Sequence, residues 1–177
     1  GSNTTTVQAN TTAGFSIVEY TGTGSDATVG HGLSSAPKWI WVKQLNSTGH
    51  FSVYLGVLGG TKISYTSVDV VNSSNSSYWN DTDATSSVFS VGTNADVNGS
   101  SSTYVAYCWS EIDGFSKFNS YTGNGNSNGP FIYTGFKPAW LMVKCTNTNG
   151  RNWAVFDNAR SPINPFQNCM NIDLTDA

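Results

Sequence analysis

A chain of 177 residues with 38% hydrophobic and 13% aromatic side chains can close one good core or two small ones. Only 11% of its residues are charged, against about 25% in an ordinary domain. Serine and threonine together number 44 and asparagine 19, while leucine is 6 and glutamate 2, which excludes a helix bundle, a coiled coil and a Rossmann enzyme. Eight basic against eleven acidic side chains, a net charge of −3, exclude a conventional nucleic-acid binder, no apolar run approaches the roughly 18 residues of a membrane span, and no secretory leader is visible at the start.

The aromatic residues cluster in strand-like segments, which a disordered Ser/Thr/Asn chain would lack, so the expected fold is all-β with long polar loops. In chain order, residues 1–13 are rich in Asn and Thr and read as an N-terminal extended arm, either flexible or a strand that pairs only on assembly. Thr4, Thr5, Thr6, Val7, Gln8 and Ala9 are the candidate assembly strand, since lysine and proline, the usual edge protection, are absent there. Residues 15–20 predict a short strand ending in the Thr21-Gly22 turn. Residues 39–43 are apolar on both faces and predict a central strand, entered from Pro37 where proline costs no ladder bond. Residues 51–54 alternate and predict a half-buried strand, and residues 62–71 predict one or two more. Residues 88–91 and 104–109 flank a polar stretch containing Asn98-Gly99, a hairpin signal, and read as the closing hairpin. Residues 140–143, after Pro138, predict a second central strand.

An internal repeat organises these elements. Gly14-Phe15-Ser16 returns as Gly114-Phe115-Ser116, Tyr20-Thr21-Gly22 as Tyr121-Thr122-Gly123, Pro37-Lys38-Trp39 as Pro138-Ala139-Trp140, and Asn46-Ser47-Thr48-Gly49 as Asn147-Thr148-Asn149-Gly150, all at an offset of 100 or 101. The unit is thus about 100 residues, with a first copy over 14–113 and a second, shorter one over 114–177. The second copy has no counterpart of residues 88–109, so its sheet is expected either to fold differently or to have its open edge covered by a segment from elsewhere.

The series Gly14-Phe15-Ser16, Val29-Gly30-His31-Gly32-Leu33, Ala36-Pro37-Lys38, Trp79-Asn80-Asp81-Thr82, Thr103-Tyr104-Val105-Ala106-Tyr107-Cys108 and Gly114-Phe115-Ser116-Lys117-Phe118 resembles a family of tailed-bacteriophage tail fibre and virion structural proteins, known from aquatic phages and metagenomes. The resemblance covers residues 14 to about 165. It implies a tandem β-sandwich, jelly-roll-like, on a virion or fibre surface, with no established catalytic residue.

Chemical constellations are sparse. Cys108, Cys145 and Cys169 form no C-x-x-C pair and read as buried thiols, with one disulfide left open for an extracellular protein. Seven N-x-S/T sequons stand against about 5 expected from composition, too small an excess to argue for glycans. Residues 125–129 match G-x-S-x-G around Ser127, but a strand pattern rather than a helix follows, against a nucleophile elbow. His31 and His50 lack a second ligand at metal spacing. Asp81 with Asp83, and Asp96 in a D-x-N-G-S loop, read as turn residues, and Glu19 and Glu111 make no glycosidase pair. Among six tryptophans, Trp39, Trp41, Trp109 and Trp140 lie in strand patterns and are assigned to packing, whereas Trp79 and Trp153 sit beside polar loops and are the candidate ligand-facing aromatics, with Arg151 and Arg160 near the latter.

The sequence therefore reads as a non-enzymatic structural protein of a phage tail fibre or similar extracellular fibre, a homo-oligomer or filament that needs no cofactor, metal, nucleic acid or membrane span. A carbohydrate-binding module recognising a host-surface glycan is the alternative.

Overall fold

The computed structural model describes residues 2–67, 73–163 and 168–174. The chain is nearly all β. Strands β1 (Thr5–Asn10), β2 (Phe15–Thr21), β3 (Ala27–Gly30), β4 (Trp39–Gln44), β5 (Ser52–Leu55), β6 (Lys62–Tyr65) and β7 (Ser73–Ser74) are followed by a single helical turn, α1 (Ser76–Trp79). Then come β8 (Val88–Val91), a second turn α2 (Ala95–Asn98), β9 (Thr103–Trp109), β10 (Trp140–Val143), β11 (Ala154–Asp157) and β12 (Met170–Asn171). Three antiparallel sheets result: one of seven strands in the order β1-β2-β9-β4-β5-β6-β7, a pair β3-β8, and a three-stranded β10-β11-β12.

Strict alternation of side chains decides what lies where. In β2, Ser16, Val18 and Tyr20 are buried; in β4, Ile40 and Val42; in β9, Tyr104, Ala106 and Cys108. These residues share one face of the large sheet, and Ala27, Val29, Phe89 and Val91 from the β3-β8 pair close over them to make one hydrophobic cluster. The intervening residues line the opposite face, where Phe15, Trp39, Trp41, Tyr107 and Trp109 are half-buried.

Two segments differ from the sequence expectation. Residues 88–91 and 104–109 do not form a hairpin: β8 pairs with β3, and β9 lies between β2 and β4. Asn98-Gly99 makes no strand turn because the Asn98 side chain has better partners inside. Its Nδ2 donates to the carbonyls of Ser25 (2.6 Å) and Gly92 (2.8 Å), and its Oδ1 accepts from the Thr23 N–H (2.9 Å). The α2 turn is further hung from the large sheet by Tyr20, whose hydroxyl donates to the Val97 carbonyl, and by Tyr104, whose hydroxyl donates to that of Ala95. Likewise the N-terminal arm is not left for assembly. Residues Thr5–Asn10 pair within the chain along β2, from Thr5↔Tyr20 to Asn10↔Phe15, because Val7 finds apolar cover against the core cluster. The strand predicted over 62–71 is realised as β6, and residues 68–71 of that prediction lie outside the described residues.

Residues 114–177 do not build a second sandwich among the described residues. They do build one hairpin in the register of the first copy. Trp39↔Leu55 and Ile40↔Tyr54 correspond to Trp140↔Asp157 and Leu141↔Phe156, with one residue inserted in the connecting loop. A lysine closes the loop in both: Lys43 Nζ donates to the carbonyls of Ser47 and Gly49, and Lys144 Nζ to that of Arg151. What differs is the surroundings. Gly14 and Gly114 share a left-handed backbone (φ 64° and 73°), yet a Cβ on Gly14 would lie 2.7 Å from Ile112 Cγ1 and from the Ser110 carbonyl, while one on Gly114 would meet nothing within 4 Å. Tyr20 is 2% exposed and its counterpart Tyr121 52%; Ile40 is 0% exposed and Leu141 42%.

The contrast gives a measurable pair. Ile40→Ala opens a cavity in the main core and should lower stability by about 2–5 kcal/mol, whereas Leu141→Ala, at the matching hairpin position, should cost less than about 1 kcal/mol in the dilute protein. Urea denaturation of the two variants checks this; equal costs would place Leu141 in a packed core.

Candidate interaction surface

The residues singled out for chemistry are dispersed. His31 is fully buried in the turn after β3, where its Nδ1 accepts from the Leu33 N–H (3.1 Å) and its Nε2 faces the Thr85 carbonyl (3.1 Å). An N–H must donate to Nδ1, so the proton sits on Nε2 and donates to Thr85. His50 is exposed and its Nδ1 meets the Ser67 hydroxyl. Asp83 accepts from the Gly60 N–H (2.7 Å), and Asp96 from the Tyr78 hydroxyl (2.9 Å), which in turn accepts from Tyr65 (2.7 Å). Asp83 thus ties two loops together, and Asp96 ties the α2 turn to α1. Ser127 lies in an exposed stretch with no strand or helix on either side. Cys108 is buried, and burial pushes its thiol up to about 12, with the Ser16 hydroxyl opposing; Cys145 is half-buried and Cys169 exposed, so burial holds for one of the three thiols. Among the described residues no group of His, Cys, Asp or Glu has the arrangement of a metal site, and no helix is long and apolar enough to cross a membrane.

Trp39, Trp41 and Trp109 pack as assigned, but the other three tryptophans depart from the expectation. Trp79 and Trp153, the candidate ligand-facing aromatics, are each 1% exposed. Trp79 ends the α1 turn, and Asn80 caps it in the left-handed region (φ 52°). The polar residues 80–83 therefore turn outward while the indole packs edge-on against Tyr54 at 5.8 Å. Trp153 lies on the outer face of the large sheet. Its Nε1 donates to the Tyr65 carbonyl (2.7 Å), its ring sits 5.7 Å from that of Trp39, and Lys144 Nζ lies 5.8 Å from its centroid. Arg160 pairs with Asp157 (2.6 Å) rather than turning to Trp153. Trp140, assigned to a central strand, is instead on an edge strand and 56% exposed.

A continuous aromatic layer coats the face of the large sheet turned away from the core. Phe15, Trp109, Trp41 and Phe51 follow one another at centroid separations of 5.2, 5.3 and 6.0 Å, with Trp39 and Phe118 adjoining. Several rings meet edge to face, at 62–76°, so they pack on one another instead of offering a coplanar platform for a sugar ring. Trp153 and Phe118 from the C-terminal part lie against this layer, and Val53, on the same face of β5, is 0% exposed.

Covering the layer leaves the C-terminal part with surface of its own. Ten of the thirteen exposed large apolar side chains among the described residues lie between Phe115 and Leu174, led by Phe131 (89%), Tyr133 (77%) and Ile163 (77%). A shallow groove of about 300 Å³ runs between Asp113, Lys117, Tyr133 and Thr134. Fully burying such a side chain is worth about 1.5–3 kcal/mol, a gain that this surface leaves unrealised in the single chain. No sequence signal distinguished it, because residues 131–133 and 140–143 carry the same apolar patterns as the packed strands of the first copy.

The whole chain, residues 1–177, matches the family described as a domain of unknown function (DUF7483), and it belongs to that family. No curated protein and no solved structure matches it.

Burial of His31 lowers its pKa from 6.5, the Thr85 carbonyl opposing in part. Below about pH 6.5 the unfolded chain takes up a proton that the folded ring resists, so stability falls as pH falls. The urea midpoint should drop between pH 7 and pH 5, and His31→Gln should flatten that slope; an unchanged slope in the variant would show that the ring contributes nothing to it.

Proposed function

We propose that this chain is a non-enzymatic structural protein of a phage tail fibre or a similar extracellular fibre, located on a virion or outside the cell, whose main activity is self-association. The observation that carries the reading is the uneven apolar surface: the first copy closes its core, while residues 115–174 hold most of the exposed bulky apolar side chains. Exposed apolar surface in excess of what a monomer usually carries marks association sites. The resemblance of residues 14 to about 165 to tail fibre and virion proteins supports the setting, and the matching hairpin registers support a duplicated β-sandwich unit as its building block. The glycan-binding alternative loses the two aromatics it relied on, since Trp79 and Trp153 are inside.

Sedimentation velocity and negative-stain micrographs, from dilute to concentrated solution, test the reading. Defined oligomers or filaments that grow with concentration are expected; a monomer throughout overturns it.

A further inference from the structure

The repeat supplies a template for what is missing around β10. In the first copy, β4 is paired on both sides, with β5 on one and β9 on the other, from Trp39↔Trp109 to Gln44↔Tyr104. In the second copy, β10 has β11 on one side in the same register, and among the described residues its other edge has no backbone partner. Trp140 and Leu141, flanking that edge, are 56% and 42% exposed. An open edge with bulky apolar side chains is a site for strand addition.

A second open edge of useful length lies at one end of the seven-stranded sheet. β1 is six residues long, is paired on one side only, and carries no charge and no proline. Of the remaining sheet-edge strands among the described residues, β7 and β12 are two residues each, and β3 and β8, four residues each, are buried or half-buried along their length, with the Thr28 carbonyl already accepting from the Ser2 and Asn3 N–H groups. Charge selects between the ways of joining copies. Residues 1–113 hold three Lys against eight Asp and Glu, and residues 114–177 hold five Lys and Arg against three Asp. Contacts between like halves oppose like charges, whereas contacts between unlike halves are attractive. Locally, Lys137 is exposed just before β10, and Glu19 is exposed one strand in from β1, opposite Thr6.

We propose that the open edge of β10 pairs with the open edge of β1 in a second copy of this chain, antiparallel, so that the two sheets run on into one another. The proposal rests on the reading of the chain as self-associating and names its interface. β1 keeps its bonds to β2 and adds a neighbour on its free side; it is not donated as a loose arm. Because the two edges are different patches, the contact is head-to-tail, and it builds a ring if the rotation closes and a filament if it does not.

Cross-linking tests it. In a background with Cys145→Ser and Cys169→Ser, Gln8→Cys and Met142→Cys are made separately, and each alone and their mixture are treated with a short bismaleimide. A disulfide-independent dimer band in the mixture, several-fold stronger than in either variant alone, is expected. As a second readout, Thr6→Lys with Gln8→Lys, checked for retained fold by circular dichroism, should raise the concentration needed for assembly by about tenfold, the loss of about 1.4 kcal/mol. Equal cross-linking within one variant alone, or assembly undiminished by the edge lysines, overturns the β1–β10 interface while leaving the structural reading in place. A wild-type chain that never assembles overturns both.

Discussion

The central pair β4 and β9 has to be covered on both faces, and most of the architecture answers that demand. Ile40, Val42, Tyr104, Ala106 and Cys108 face one way, and the β3-β8 pair with its flanking turns closes over them. Trp39, Trp41, Tyr107 and Trp109 face the other way. Leaving that many indole and phenol rings in water would forgo several kcal/mol, and the C-terminal part relieves this by laying Trp153 and Phe118 on them. The residues following Gly114 thus serve the first copy before they serve a unit of their own.

That service has a cost. One hairpin sequence occurs twice with the same register and the same lysine-closed loop, so its local structure is indifferent to context. Its burial is not. β4 has β9 beside it and a core beneath it, whereas among the described residues β10 has no strand on its second side, and Trp140 and Leu141 are exposed. Short-range chemistry suffices for two strands to pair, but a two-stranded ribbon is marginal until a third strand or a second layer covers it.

The places where sequence reasoning failed share one cause. Trp79 and Trp153 sit beside polar loops, which suggests exposure. Left-handed backbone at Asn80 and Asp81 in one case, and a face of the sheet that needed a lid in the other, bring the indoles inside. Asn98-Gly99 has the composition of a hairpin turn, yet Asn98 is fully buried and bonds three backbone groups from two separate segments. The Thr-rich start looked like a loose arm because its single valine gives little apolar drive; β2 supplies the ladder that the composition could not reveal.

By itself the sequence determined the class of secondary structure and the positions of most strands, because alternation and turn chemistry are local properties carried by neighbouring residues. It also determined that the histidines and cysteines are too scattered in the chain for short metal-ligand motifs. Only the tertiary structure decided which strand lies beside which, which tryptophans are inside and which apolar side chains stay exposed. Those outcomes depend on contacts between residues far apart in the chain, such as Trp39 with Trp153 and Asn98 with Ser25, and on which of two chemically similar faces finds a cover first.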